Sequence, residues 1–150
     1  MKTNKIYLSI KSILLLLVAV VMVLSMSSCG TTSHFQASTV VPAAEGVVKV
    51  KKDNNNNYRI SITINNLAEP GKLQQPRNVY VVWMEGGDNQ TKNIGLIKSS
   101  HSMFSKSLKG TFETVSSIKP KKIFISAEND PGVQYPDNMN IVLTTNYIKD

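Results

Sequence analysis

One cysteine stands in the 150-residue sequence, Cys29. An intramolecular disulfide or a cysteine-based zinc cluster needs a second thiol close by, so both are excluded. Histidine is nearly as scarce. With only His34 and His101 present, a zinc or copper centre lacks converging ligands. There is no Gly-x-Ser-x-Gly elbow to hold a nucleophile and no glycine-rich phosphate loop, and Ser-His-Asp chemistry would rest on His101 alone, in a serine-rich stretch read as loop. Long apolar runs are also lacking. The longest, residues 13–24, reaches about 18 Å as a helix, short of the roughly 20 residues a bilayer-spanning helix needs. At 41% hydrophobic and 18% charged residues, the chain is neither disordered nor a multi-pass membrane protein, and one domain is its ceiling.

What is present first is an address. Lys2, Lys5 and Lys11 precede the apolar run, and Ser25-Met26-Ser27-Ser28-Cys29-Gly30 follows it. This order of charge, short apolar core and small residues reads as a secretory signal. The last segment resembles the lipobox of bacterial lipoproteins, in which a peptidase cuts just before a diacylated cysteine; Met26 stands where Leu, Val or Ile is usual. The resemblance implies acylation of Cys29 by palmitate-class chains and a membrane partner reached through the lipidated N-terminus. Acyl chains contribute roughly 0.8 kcal/mol per buried methylene, so two or three anchor firmly. Gly30 is not the aspartate that retains many lipoproteins at the inner membrane, which implies sorting to the outer membrane. No acidic run follows Cys29, and the periplasmic face is the expected side. Residues 1–28 are then signal, 29–41 a lipidated N-terminus and uncharged tether, and 42–150 the folded domain. Removing Lys2, Lys5 and Lys11 from 17 basic residues leaves 14 against 10 acids, a balance of +4.

The folded part reads as all-β. Short β-branched runs alternate with clusters of Asn, Asp, Gly and Pro, which predicts seven strands over 46–52, 58–65, 78–85, 93–98, a fifth around Leu108, Gly110 and Phe112, 122–128 and 139–145. Tyr58, Ile60, Ile62 and Ile64 alternate with Arg59, Ser61, Thr63 and Asn65, a period of two with one buried face. Asp53 and the four asparagines after it form a hairpin loop. Val79 to Met84 is apolar on both faces, which suggests a central strand, with Trp83 in the core. Residues 99–106 offer at most one helical turn. Seven short strands suit a two-sheet, immunoglobulin-like sandwich.

Val79-Tyr80-Val81-Val82-Trp83, Asn93-Ile94-Gly95-Leu96, Leu108-Lys109-Gly110-Thr111-Phe112 and Ile125-Ser126-Ala127-Glu128, with Pro136 following, resemble in order the extracytoplasmic domain of anti-sigma-K factors, over about residues 45–146. The resemblance implies a β-sandwich sensory or binding module. Those regulators carry a sigma-binding segment and a transmembrane helix where this chain has a lipoprotein signal, so inhibition of a sigma factor is not carried over, and fold analogy does not name a ligand.

Acids are few. Glu85 with Asp88, and Glu128 with Asp130 and Asp137, end strands and could meet at one rim as a carboxylate- or metal-dependent hydrolase or a calcium site; solvated turns are the plainer reading. Lys49, Lys51 and Lys52 form one basic cluster and Lys119, Lys121 and Lys122 another. Both read first as guards against edge-strand addition and second as attraction to anionic lipid or lipopolysaccharide phosphates. Nucleic acid is not an expected partner, since no aromatic-basic signature is present. The expectation is a non-enzymatic envelope module, with no cofactor and no metal, that binds an envelope protein or ligand. Its expected contacts are Asp88 and Gln90 in one loop and Tyr135 and Asp137 in another, at one end of the sandwich. A hydrolase and a purely structural envelope protein are the alternatives.

Overall fold

The computed structural model describes Leu15, residues 30–101 and residues 108–149. The expected signal sequence apart from Leu15, the expected acylation site Cys29 and residues 102–107 lie outside the described residues. The described strands are β1 (Gly30–His34), β2 (Glu45–Lys52), β3 (Tyr58–Leu67), β4 (Val79–Gly86), β5 (Thr91–Leu96), β6 (Lys98–His101), β7 (Leu108–Ser116), β8 (Pro120–Glu128) and β9 (Ile141–Thr144). They form two antiparallel sheets, one five-stranded in the order β1-β2-β3-β7-β6 and one four-stranded in the order β5-β4-β8-β9. Nine strands therefore stand where seven are expected.

The strands follow from the side-chain pattern. Along β3, Ile60, Ile62 and Ile64 are buried and meet Val48 and Val50 of β2 in the core between the sheets. Tyr80, Val82 and Met84 of β4 and Ile123, Ile125 and Ala127 of β8 supply the other side. Each buried Val, Ile or Met side chain among these contributes about 1.5–3 kcal/mol. The β2–β3 hairpin closes as its composition predicts: Asp53 Oδ1 accepts from the amides of Asn55 at 2.8 Å and Asn57 at 2.9 Å, and Asn56 takes a positive φ of 63°, which asparagine tolerates.

Two of the additional pairings fall where no strand is expected. Residues 30–34, read as tether, pair in register with β2 from Gly30↔Lys51 to His34↔Val47. Thr-Thr-Ser-His carries no apolar alternation, so the pairing rests on the ladder to β2. The chain then bridges the sheets, Phe35 pairing with Thr145 and the Gln36 amide donating to the Thr144 carbonyl at 2.8 Å. Ser38 Oγ accepts from the Val41 amide at 2.8 Å, and Val41 is buried, so this connection is packed against the domain. Residues 99–101, read as loop and the start of a helical turn, pair with β7 instead, together with Lys98, the expected end of the fourth strand.

Tyr80 carries a testable signature of this core. Its hydroxyl donates to the Ala68 carbonyl at 3.0 Å, and burial pushes its pKa from 10.0 up to about 12. The phenol is thus held in its neutral form. The associated stability is fully present below pH 10 and is lost as the pH rises towards 12, an amount of about 2–3 kcal/mol. Alkaline denaturation monitored by circular dichroism is expected to show this loss. Tyr80→Phe should lose about 1 kcal/mol at neutral pH for the missing hydrogen bond and show a shallower decline above pH 10.

Candidate functional site

The four expected contact residues occupy two turns rooted at opposite ends of the four-stranded sheet. β4 runs antiparallel to β8, with Val79 beside Glu128 and Gly86 beside Pro120. The β4–β5 turn with Asp88 and Gln90 therefore leaves one end and the β8–β9 loop with Tyr135 and Asp137 leaves the other, so the shared end expected for these loops is not found: antiparallel neighbours release their C-terminal connections at opposite ends. The same register separates Glu85 and Asp88 from the root of Glu128, Asp130 and Asp137, so the acids do not gather at one rim. Among the described residues no group of three or more His, Cys, Asp or Glu side chains could hold a metal ion.

Asp88 and Asp137 are occupied with local backbone. Asp88 Oδ1 accepts from the Gln90 amide at 3.1 Å, and that bond, with Lys92 Nζ 3.6 Å away, lowers the carboxyl pKa. Asp137 Oδ1 accepts from the Met139 amide at 3.0 Å and Oδ2 from Asn140 Nδ2 at 2.5 Å, while Arg77 lies 3.7 Å off. Asp137 thereby caps the single turn Asn138–Asn140. Tyr135, by contrast, is 86% exposed.

The β8–β9 loop doubles back over the outer face of the four-stranded sheet. Asn93 Nδ2 on β5 donates to the carbonyls of Pro131 at 3.0 Å and Val133 at 3.1 Å. This leaves a polar cleft of about 480 Å³ between Thr91–Asn93 and Gly132–Gln134. Beneath the loop lies a second apolar cluster of Val81, Trp83 and Phe124, with Val133 and Ile141 packed on it. Trp83 is fully buried there, as its place in an apolar strand implies, but on the sheet's outer face. Its Nε1 donates to Ser126 Oγ at 2.8 Å, and that hydroxyl donates to Glu128 Oε1 at 2.5 Å. The same carboxylate oxygen accepts from the Asp137 amide at 3.0 Å. Glu128 is thus a buried clamp that fastens the loop, a role the reading of Glu128 as a turn acid misses. The available signal was period two: Phe124, Ser126 and Glu128 share one face of β8.

The sandwich is closed on one side by the Phe35 bridge to Thr145 and differs on the other. There β6 covers β7 only from Leu108 to Thr111. Among the described residues no strand pairs with the outer edge of 112–116, whose inner edge is paired with β3. Beside it, where the chain crosses from β5 to β6, lies a cleft of about 820 Å³ lined by Ile62, Leu96, Ile97 and Phe112, with Lys98 and Glu113 among its polar members. Leu96 is exposed, which leaves apolar surface beside unpaired backbone.

Compared with known proteins, the chain matches no family model, no curated protein and no solved structure.

Proposed function

We propose that this chain is an envelope lipoprotein, anchored through acylated Cys29 in the outer membrane on its periplasmic side, whose immunoglobulin-like sandwich captures an extended segment of another envelope protein without turning it over. The strand order supports the immunoglobulin-like reading: β2-β3-β7-β6 follows the A-B-E-D order and β5-β4-β8-β9 the C′-C-F-G order, with β1 added outside the first strand. The resemblance to anti-sigma-K extracytoplasmic domains points to the same class of module.

The observation that carries the binding reading is the unpaired edge of β7 beside an apolar cleft. A strand edge presents amide donors and carbonyl acceptors in a row that an extended polypeptide complements, and a flanking pocket selects alternate side chains. In this reading the contact lies along residues 112–116 and Leu96, and the turns holding Asp88 and Asp137 act as scaffold. Tyr135 and Gln90 remain accessible side chains outside it.

The test uses the purified full-length protein. Mass spectrometry is expected to find Cys29 acylated at the mature N-terminus; an unmodified thiol on a chain retaining Met1 overturns the anchor. Selection from a random-peptide display library is expected to enrich sequences with alternating β-branched residues, recovered uncleaved. Leu96→Asp, which places a charge in the cleft at an exposed position, should weaken these peptides about tenfold, or 1.4 kcal/mol, with an unchanged far-ultraviolet spectrum. Enriched peptides without alternation, or binding indifferent to Leu96→Asp, would move the site elsewhere.

A further inference from the structure

The two lysine clusters, more than 60 residues apart in the sequence, lie at one end of the sandwich. In the five-stranded sheet, Lys51 pairs across with both Gly30 and Arg59, Lys52 pairs with Tyr58, and Tyr58 pairs with Ser116. The chain passes from Ser116 through Ile118 and Lys119 to Pro120, which stands beside Gly86 in the second sheet. Ile118 packs on Gly86 so closely that an added Cβ there would lie 2.9 Å from Ile118 Cγ2. The C-terminal segment returns to this end as well, the Ile148 amide donating to the Lys121 carbonyl at 2.7 Å, which delivers Lys149. Lys51, Lys52, Lys119, Lys121 and Lys149 are all exposed.

Among the described residues, acids at this end are engaged locally. Asp53 accepts from the amides of its own hairpin, Asp88 accepts from the Gln90 amide beside Lys92, and Glu113, a little further up β7, binds Arg59 at 2.8 Å. Glu85 lies across from Lys122. Glu45, Glu69 and Glu128 belong to the far half, with the β8–β9 loop acids Asp130 and Asp137.

Gly30 is decisive. A flexible tether would leave the domain's orientation free, with a reach on the order of 40 Å. Gly30 is instead the first residue of β1 and sits beside Lys51. The chain therefore enters the domain at the basic end, one residue after the proposed anchor. Lipid at that anchor brings headgroups to the end of the sandwich that carries these lysines, and charges act over about 10 Å at about 0.1 M salt. We propose that this end is a docking surface for the anionic phosphate headgroups of the membrane that holds Cys29. The surface fixes the domain upright on the bilayer. This orientation rests on the acylation of Cys29.

The experiment uses the full lipidated protein reconstituted in vesicles of phosphatidylcholine, with and without phosphatidylglycerol. Lysines are labelled briefly with acetic anhydride and quantified by peptide mass spectrometry. Lys51, Lys52 and Lys149 report on the basic end; Lys72 and Lys109 are controls within the same molecule. Phosphatidylglycerol is expected to slow acetylation of the reporters roughly fivefold, the factor equivalent to one cation's attraction to an anionic surface, and to leave the controls unchanged. About 1 M salt, with a screening length of roughly 3 Å, should abolish the difference. Equal reporter rates on both vesicles, or slowing that persists in high salt, overturns the docking surface. Acylation is read separately, by flotation with pure phosphatidylcholine and by the mass of the N-terminal peptide, so a failed anchor and a failed docking surface give different results.

Discussion

Trp83→Ala is expected to destabilise the domain by about 3–5 kcal/mol, the range for truncating a large buried aromatic. Trp83 is fully buried, and its ring stacks on Phe124 with centroids 6.2 Å apart and planes 12° from parallel. Truncation opens a cavity under the β8–β9 loop and removes the indole donor from Ser126 Oγ. Because small domains are stable by only about 5–15 kcal/mol, the loss is a large share of the total. Urea denaturation should show the midpoint falling at a nearly constant slope. Trp83→Phe keeps most of the ring packing and loses the hydrogen bond, so about 1–2 kcal/mol is expected. Since Val133 and Ile141 pack on this cluster, the alanine variant should also be cut faster by protease within 129–140 under conditions where the rest of the domain resists. A loop that stays as resistant as in the parent would show that Trp83 does not hold it down.

The same cluster explains why β4 was readable and its surroundings were not. Val79 to Met84 is apolar at every position, and a strand apolar on both faces must be covered on both. The inner cover is the other sheet, as the alternating isoleucines of β3 imply. The outer cover is an irregular loop, 129–140, held by Glu128 and Asn93. Nothing in Asn129-Asp130-Pro131-Gly132 distinguishes a loop that folds back from one that projects, because turn residues encode local angles and not the direction of return. For Asp88 and Asp137 a related ambiguity holds: a polar loop residue that caps a turn has the same identity as one that meets a partner. β1 was unreadable because edge pairing uses backbone groups, which every sequence carries. The open edge of β7 is equally silent, since it results from where the chain enters β6, at Lys98 opposite Thr111, and not from any residue in 112–116.

The second large effect is expected at Gly95, which governs that open edge. Gly95 has a φ of +137°, a region that residues with a side chain rarely adopt. It stands at an irregularity in the β4–β5 ladder: Val82 pairs with Gly95 and Trp83 with Asn93, so Ile94 is the extra residue of a bulge. Asn93 Oδ1 accepts from the Gly95 amide at 3.1 Å and supports the bend. An added Cβ would lie 2.7 Å from Phe112 Cε2, so backbone strain and a displaced ring act together. Gly95→Ala is expected to cost about 2–4 kcal/mol, measured by urea denaturation. Its distinctive result is at the cleft. Phe112 lines it, and moving that ring should weaken the selected peptides even under conditions where the variant is fully folded. Joint substitution with Phe112→Leu, which clears the ring, should recover the part of the stability loss due to the clash and leave the part due to φ. A double variant no more stable than the sum of the two single changes would mean that Phe112 does not press on Gly95, and that the bulge alone sets the shape of this edge.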